Sequence, residues 1–225
     1  VILDRIQREG FSVEEKVLSP SEVQSIQAGL RAPERAAGGI RNLLDIPEVA
    51  QLAQLPIIRN LVDPILGHSA FAVRGTLFDK TPGANWKVPW HQDLSIAVQE
   101  KIDLEGFGPW SVKAGVVHVQ PPVAILEGML AVRIHIDDCR EENGPLRVIR
   151  GSHRLGRLTA DQIQTAVSEA PVVSCPVGAG GVLLMRPLLL HASSASQSPA
   201  HRRVIHIDFA VTPLPGGLKW HQYGG

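Results

Sequence analysis

At 225 residues, with 44% hydrophobic and 20% charged side chains, the chain has the size and composition of one soluble domain with a sizeable core. Lys plus Arg and Asp plus Glu balance at 22 each, so no net field recruits nucleic acid or an anionic membrane. No apolar run approaches the roughly 20 residues that span a bilayer, and the charged start over 1–8 lacks a signal peptide's apolar stretch. Cys139 and Cys175 fit neither a redox nor a zinc motif. A cytoplasmic protein with reduced, buried thiols, acting on a small molecule, is expected.

Residues 1–70 are expected to be mainly helical. Ser19-Pro20-Ser21-Glu22 carries capping signals ahead of Val23, Ile26 and Leu30, which recur at helical spacing. A second helix is predicted over 47–55. A third follows Pro56, with Ile57, Ile58, Leu61, Val62, Ile65 and Leu66 as a broad apolar stripe that Gly67 ends. The Gly-, Ala- and Arg-rich stretch 31–42 between them reads as a loop. From 71 to 213 the texture changes to short strands, predicted over 71–80, 129–137, 146–149, 172–174, 182–185, 188–191 and 203–211 with Gly and Pro between them. A short helix is expected over 158–167, starting from Thr159. The Gly- and Pro-rich excursion over 101–122 reads as an ordered lid, since loops of this length in compact domains usually serve function. Helices followed by many strands predict a mainly β (α+β) fold, an antiparallel jelly roll with N-terminal helices packed on it.

Trp90-His91-Gln92-Asp93 carries the chemistry. Residues two apart in a strand share a face, so His91 and Asp93 can reach one metal. His191, after Leu188-Leu189-Leu190 and before small residues, is the best third ligand. Two imidazoles and a carboxylate on one face of an octahedron leave three positions open, which suits Fe(II) enzymes that activate oxygen. A His-x-Asp pair alone is a weak signal and reads first as a surface or turn hydrogen bond. Arg202, eleven residues past His191, opens a strand that a short loop returns beside it. A guanidinium there can fork onto the distal carboxylate of a chelating dicarboxylate, although Arg202-Arg203 in isolation reads first as two solvated loop charges.

The blocks Val88-Pro-Trp-His-Gln-Asp93, Asn143-Gly-Pro-Leu-Arg-Val-Ile-Arg-Gly-Ser-His153, His191-Ala-Ser and Arg202-Arg203, in that order, resemble the phytanoyl-CoA dioxygenase family from about Gly10-Phe11 to Thr212. The resemblance implies a cupin-like double-stranded β-helix with helices outside its larger sheet. It also implies Fe(II) bound by His91, Asp93 and His191, and 2-oxoglutarate bound by Arg202. The implied reaction consumes O2, releases succinate and CO2, and hydroxylates an unactivated C–H bond of a small organic molecule. Arg133 and Thr76 fall at cosubstrate-pocket positions. Arg133 stands where the family pattern has an aromatic, so its role is open between a second carboxylate clamp, a substrate anchor and a structural ion pair. Related halogenases have a small residue in place of the carboxylate ligand, so Asp93 argues against halogenation.

Strand phase offers an independent check. Leu130, Val132, Ile134 and Ile136 share one face of their strand, against Arg133, His135 and Asp137. Ile205, Ile207, Phe209 and Val211 oppose Arg202, His206 and Asp208. An interior holding Arg202 is therefore polar, and the apolar face needs helices over it. His135 and His206 read as partners of the site or as satisfied core histidines. His118 and Trp110 are candidates to touch substrate, Trp110 equally as an apolar plug. Gly151-Ser152-His153 is expected to shape the site and His68 to meet a helix end. No cluster of Lys and Arg in the sequence marks a seat for coenzyme A phosphates. A noncatalytic or isomerase-type cupin-like metal protein, or a zinc hydrolase, would keep the triad without the cosubstrate role of Arg202.

Overall fold

A computed structural model describes residues 1–30, 39–197 and 201–223. Its first part comprises α1 (Ile2–Glu9), β1 (Phe11–Glu14), α2 (Pro20–Gly29), β2 (Ile40–Arg41), α3 (Pro47–Gln54) and α4 (Pro56–Leu66). The capping signals act as written: the Ser19 hydroxyl accepts from the Glu22 N–H while the Glu22 carboxylate accepts from the Ser19 N–H. Pro47 and Pro56 each open a helix at its first turn, where a missing N–H costs nothing. Of the stretch read as a loop over 31–42, residues 31–38 lie outside the described residues, and Ile40 and Arg41 form β2.

The remainder is β3 (Phe71–Lys80), β4 (Val88–His91), β5 (Ile96–Val98), β6 (Trp110–Lys113), β7 (Val116–Val119), α5 (Val123–Glu127), β8 (Met129–His135), β9 (Leu146–Ile149), α6 (Ala160–Glu169), β10 (Val172–Cys175), β11 (Val182–Met185), β12 (His191–Ser193) and β13 (Arg202–Ala210). Six strands form a large antiparallel sheet in the order β1-β11-β8-β13-β3-β2, and four form a smaller one, β10-β9-β12-β4. These are the two sheets of the expected jelly roll. The 101–122 excursion is ordered, supplying the β6–β7 hairpin that joins β5 in a third sheet.

One predicted strand is not there. Residues 188–190 form a turn, with the Leu189 N–H bonded to the Arg186 carbonyl, and β12 begins only at His191. Pro187 bends the chain, and three buried leucines in a turn look like a strand because burial alone gives the same apolar run. Several short elements were unread, α1 and β1 among them. α1 buries only Ile6 and so has little apolar signal, and β1 docks as the edge strand against β11.

The helices cover the outer face of the large sheet. Leu52, Ile58 and Val62 pack there with Leu130, Val132, Ile134, Ile205, Ile207 and Phe209. Each fully buried aliphatic side chain stabilises by about 1.5–3 kcal/mol, so this outer core holds the sheet while its inner face stays polar. Gly75 makes close packing possible on that side: a Cβ there would stand 3.0 Å from both the Leu43 Cβ and the Leu44 N.

Candidate active site

His91 and His191 are directly opposed partners in the β4–β12 pair, so one antiparallel register sets two imidazoles side by side with ring centroids 4.2 Å apart. Asp93 follows on the same face. Its Oδ1 lies 3.7 Å from His91 Nε2, and its Oδ2 lies 3.7 Å from His191 Nε2. One ligand atom from each residue falls within 4.8 Å of the others; among the described residues this is the group of His, Cys, Asp and Glu with metal-site spacing. Each histidine donates its Nδ1–H to a backbone carbonyl two residues earlier: His91 to Pro89 at 2.9 Å, His191 to Leu189 at 2.8 Å. That bond fixes the tautomer and leaves both Nε2 lone pairs aimed at the shared centre. Burial holds the His191 pKa down to about 4, keeping the ring neutral, the form in which an imidazole can bind a metal.

The intervening Gln92 explains why the triad stays put. Its amide donates to the carbonyls of Gly156 and Leu188, and its oxygen accepts from the Leu158 N–H. The Asp93 N–H bonds the Pro187 carbonyl. From the other side, the Ser152 hydroxyl accepts from the Leu190 N–H and donates to the Ile149 carbonyl. The Gly-Ser-His turn therefore shapes the approach to His191, as expected.

The triad opens into a cavity of about 190 Å³ between the two sheets. Along β3 the inward positions Arg74, Thr76, Phe78 and Lys80 all line it; from the partner strands come Arg133, Arg202 and His206. The interior is polar, as strand phase predicted. Arg202 is buried, and its Nη1 donates to the Asn143 and Gly144 carbonyls, while its Nε has no partner. Arg133 donates from Nη1 to His206 Nδ1 at 2.9 Å and leaves Nε without a partner. Lys80, also buried, donates to the Ser194 carbonyl and, at 3.3 Å, to the Ser193 hydroxyl. Among the described residues no carboxylate stands within ion-pair distance of these three cations. Arg133 is thus held by a histidine and makes no structural ion pair. Burial and the neighbouring Arg202 push Lys80 down to about 8 and Arg133 down to about 10. Three mutually repelling cations, two of them with an unpartnered Nε–H, fit a dicarboxylate.

A buried chain runs from this seat along the inward face of the large sheet. His206 Nε2 donates to Asp208 Oδ1 at 3.0 Å, and Arg74 Nε donates to Asp208 Oδ2 at 2.5 Å. His206 can therefore accept from Arg133 only because Asp208 fixes the opposite tautomer. Burial alone would raise the Asp208 pKa, but Arg74 and His206 hold it well below the usual carboxylate range. The Asp208→Asn variant is expected to lose about 3 kcal/mol in urea unfolding, because Arg74 is left uncompensated. A depressed folded-state pKa means this stabilisation is present above about pH 4 and is lost as pH falls below it. The variant's deficit should therefore shrink in acid.

Other candidates resolve differently. His118 is buried and lines the cavity, whereas Trp110 packs against the apolar cluster around Ile96 and Trp220 and acts as a plug. His68 pairs with Asp63 on the surface. His135 Nδ1 is buried and without a partner. Both thiols are free and buried. Lys80, Gln92, Arg74, Arg41 and Lys113 were missed as site residues. Alternation from Thr76 would have found Arg74 and Lys80; nothing in the sequence aims Arg41 and Lys113 at the cavity.

A two-sheet β-helix with a facial His-Asp-His group at its open end defines a non-haem oxygenase of the Fe(II)/2-oxoglutarate type. The chain belongs to the phytanoyl-CoA dioxygenase (PhyH) family, whose model matches residues 6–204. It is 28% identical to L-proline trans-4-hydroxylase of Streptomyces griseoviridis over 87% of this chain and 75% of that protein. The fold is shared with iron-bound EctD of S. alaskensis, at a TM-score of 0.69 and 20% identity over 92% of this chain and 75% of that one. It is shared also with SnoK, an α-ketoglutarate-dependent carbocyclase from nogalamycin biosynthesis, at a TM-score of 0.69 and 18% identity over 93% and 82%. Among the described residues, no helix is long and apolar enough to cross a membrane.

Proposed function

We propose that this protein is a hydroxylase, inserting one oxygen atom of O2 into an unactivated C–H bond of a small organic molecule while 2-oxoglutarate is oxidised to succinate and CO2. Fe(II) sits on His91, Asp93 and His191, and the distal carboxylate of 2-oxoglutarate sits on Arg202. The observation that carries this reading is the pairing of an oriented two-histidine, one-carboxylate face with a cationic seat that has no ion-pair partner among the described residues, in one cavity. A noncatalytic cupin-like protein or a zinc hydrolase has use for the first and none for the second. Hydroxylation, as opposed to ring closure, is favoured by the curated relative's activity.

When bound, the iron chelate supplies oxygen activation and the two electrons released by decarboxylation. The chain does the rest. Pro89 and Leu189 carbonyls hold the two imidazoles in the ligating tautomer, and Gln92 locks the loops that carry them. Arg202, backed by Lys80 and Arg133, orients the cosubstrate, with Thr76 on the cavity wall beside it. Phe78, Trp86, Val88 and Leu146 line the same space with apolar surface that excludes water.

Anaerobic titration with Fe(II) and 2-oxoglutarate tests this. A weak visible charge-transfer band that saturates near one equivalent, and that His191→Ala abolishes, is expected. Properly loaded iron with no band would refute the 2-oxoglutarate reading and leave a cupin-like metal protein.

A further inference from the structure

Charge in the cavity exceeds what the cosubstrate needs. Of the residues lining it, Arg41, Arg74, Lys80, Lys113, Arg133 and Arg202 are cationic, and Asp93 is the one carboxylate among the described residues. Fe(II) and the 2-oxoglutarate dianion cancel each other, so filling the site leaves that excess in place. The cations also divide in space. Lys80 stands opposite Arg202 in the β13–β3 register, whereas Arg74 stands opposite Asp208 and shares Ser95 with Lys113, donating to its carbonyl as Lys113 donates to its hydroxyl. Arg74 and Lys80 stand six residues apart on β3, about 20 Å along the strand.

At the outer end Arg74 is answered by Asp208, but Arg41 and Lys113 have no ion-pair partner among the described residues. Arg41 lies opposite Thr76 in the β2–β3 register and so shares its inward face. Lys113 ends β6, in the hairpin that the 101–122 excursion supplies, and its Nζ is 3.4 Å from the Ser95 hydroxyl. Three separate segments thus aim cations at the outer end of a cavity that also takes the cosubstrate. Ligand sites commonly span roughly 300–1,000 Å³, so the space of about 190 Å³ admits only a small second molecule.

Resting on the oxygenase reading above, we infer that the substrate is a small organic acid whose carboxylate is held between Arg41 and Lys113, presenting its carbon chain to the metal face. The pair is a binding device, distinct from the inner seat of the cosubstrate, and selects anions over their neutral analogues.

The test uses the anaerobic Fe(II)–2-oxoglutarate holoenzyme, so that binding is read without turnover. A panel of small amino, hydroxy and aliphatic carboxylic acids is titrated beside the same compounds as primary amides, following thermal shift and perturbation of the chelate band. At least one acid is expected to respond and its amide not. Arg41→Gln and Lys113→Gln should each weaken that response about tenfold, as for loss of one charged hydrogen bond, with the chelate band intact in both. The inference is overturned by amides binding as well as acids, by no acid binding, or by wild-type acid affinity in the double variant. It is overturned equally if only phosphate esters or coenzyme A thioesters bind. Absence of the chelate band from the wild type would instead sink the oxygenase reading, and this inference with it.

Discussion

Arg202→Ala is expected to weaken 2-oxoglutarate binding by two to three decades, with little loss of stability. Removing one partner of a buried charge pair costs about 3–4 kcal/mol, which converts to that range of dissociation constants. Folding should hardly suffer, because the guanidinium is a source of repulsion in the free protein: it depresses both Lys80 and Arg133. What is forfeited is its anchoring bonds to the Asn143 and Gly144 carbonyls and a contact with the Cys139 sulfur. Arg202→Lys keeps the charge without the fork and should fall between wild type and Ala. The measurement is the chelate-band titration together with a melting curve. A cosubstrate affinity unchanged in Arg202→Ala would move the distal carboxylate onto Lys80 and Arg133. Lys80 adds a pH signature of its own. Burial lowers its pKa to about 8, and the bound dianion favours its charged form. Affinity should therefore hold below pH 8 and decline above it, as the lysine of the free protein loses its proton.

The parts of this site that were legible in the sequence share a cause. His91 and Asp93 are two apart in sequence, although β4 ends at His91 and Asp93 lies just past it. The spacing of Arg202 from His191 became informative through the family resemblance, and alternation along β8 and β13 separates Arg133 and Arg202 from an apolar face. Strand periodicity is local, so one chain suffices to read it. The helical cover was legible for the same reason, in the stripes of α3 and α4 and the capping box of α2. What stayed hidden depends on long-range packing. Arg41 reaches the cavity through β2–β3 register and Lys113 through a hairpin inside a stretch rich in Gly and Pro; neither placement leaves a mark in its neighbours. The sequence was read as offering no clear Lys/Arg cluster at the mouth, since three segments separated by 30 residues or more assemble it. The leucines before His191 misled in the opposite sense, because an apolar run reports burial and not conformation. Gln92 lay between the two ligands and was passed over, since a glutamine facing away from the metal shows its role only through the loops it ties.

Asp93→Ala should abolish iron retention and succinate formation while leaving the fold intact. Asp93 bonds no backbone through its side chain; its carboxylate faces the two Nε2 atoms at 3.7 Å, so nothing in the scaffold hangs on it. What it supplies is charge and a ligand atom. Without it the cavity keeps six cationic side chains and no carboxylate on its wall, and a divalent cation would have to enter against that field with two imidazoles alone. Changing groups that merely orient ligands costs about 10–100-fold in metal affinity, so loss of the ligand itself should exceed that range. Asp93→Asn separates the two contributions: it keeps an oxygen donor and removes the charge, and iron retention near that of Ala would assign the effect to electrostatics. Dialysed iron content, circular dichroism and coupled succinate release check the outcome. Iron retained and succinate formed at wild-type rates in Asp93→Ala would mean that the metal sits elsewhere. The close His-Asp-His arrangement would then have to be explained by the hydrogen bonds of a neutral histidine pair. Both Nδ1 atoms are already committed to Pro89 and Leu189, so both Nε2 atoms are lone-pair acceptors, and a carboxylate between two acceptors gains nothing unless a cation joins them.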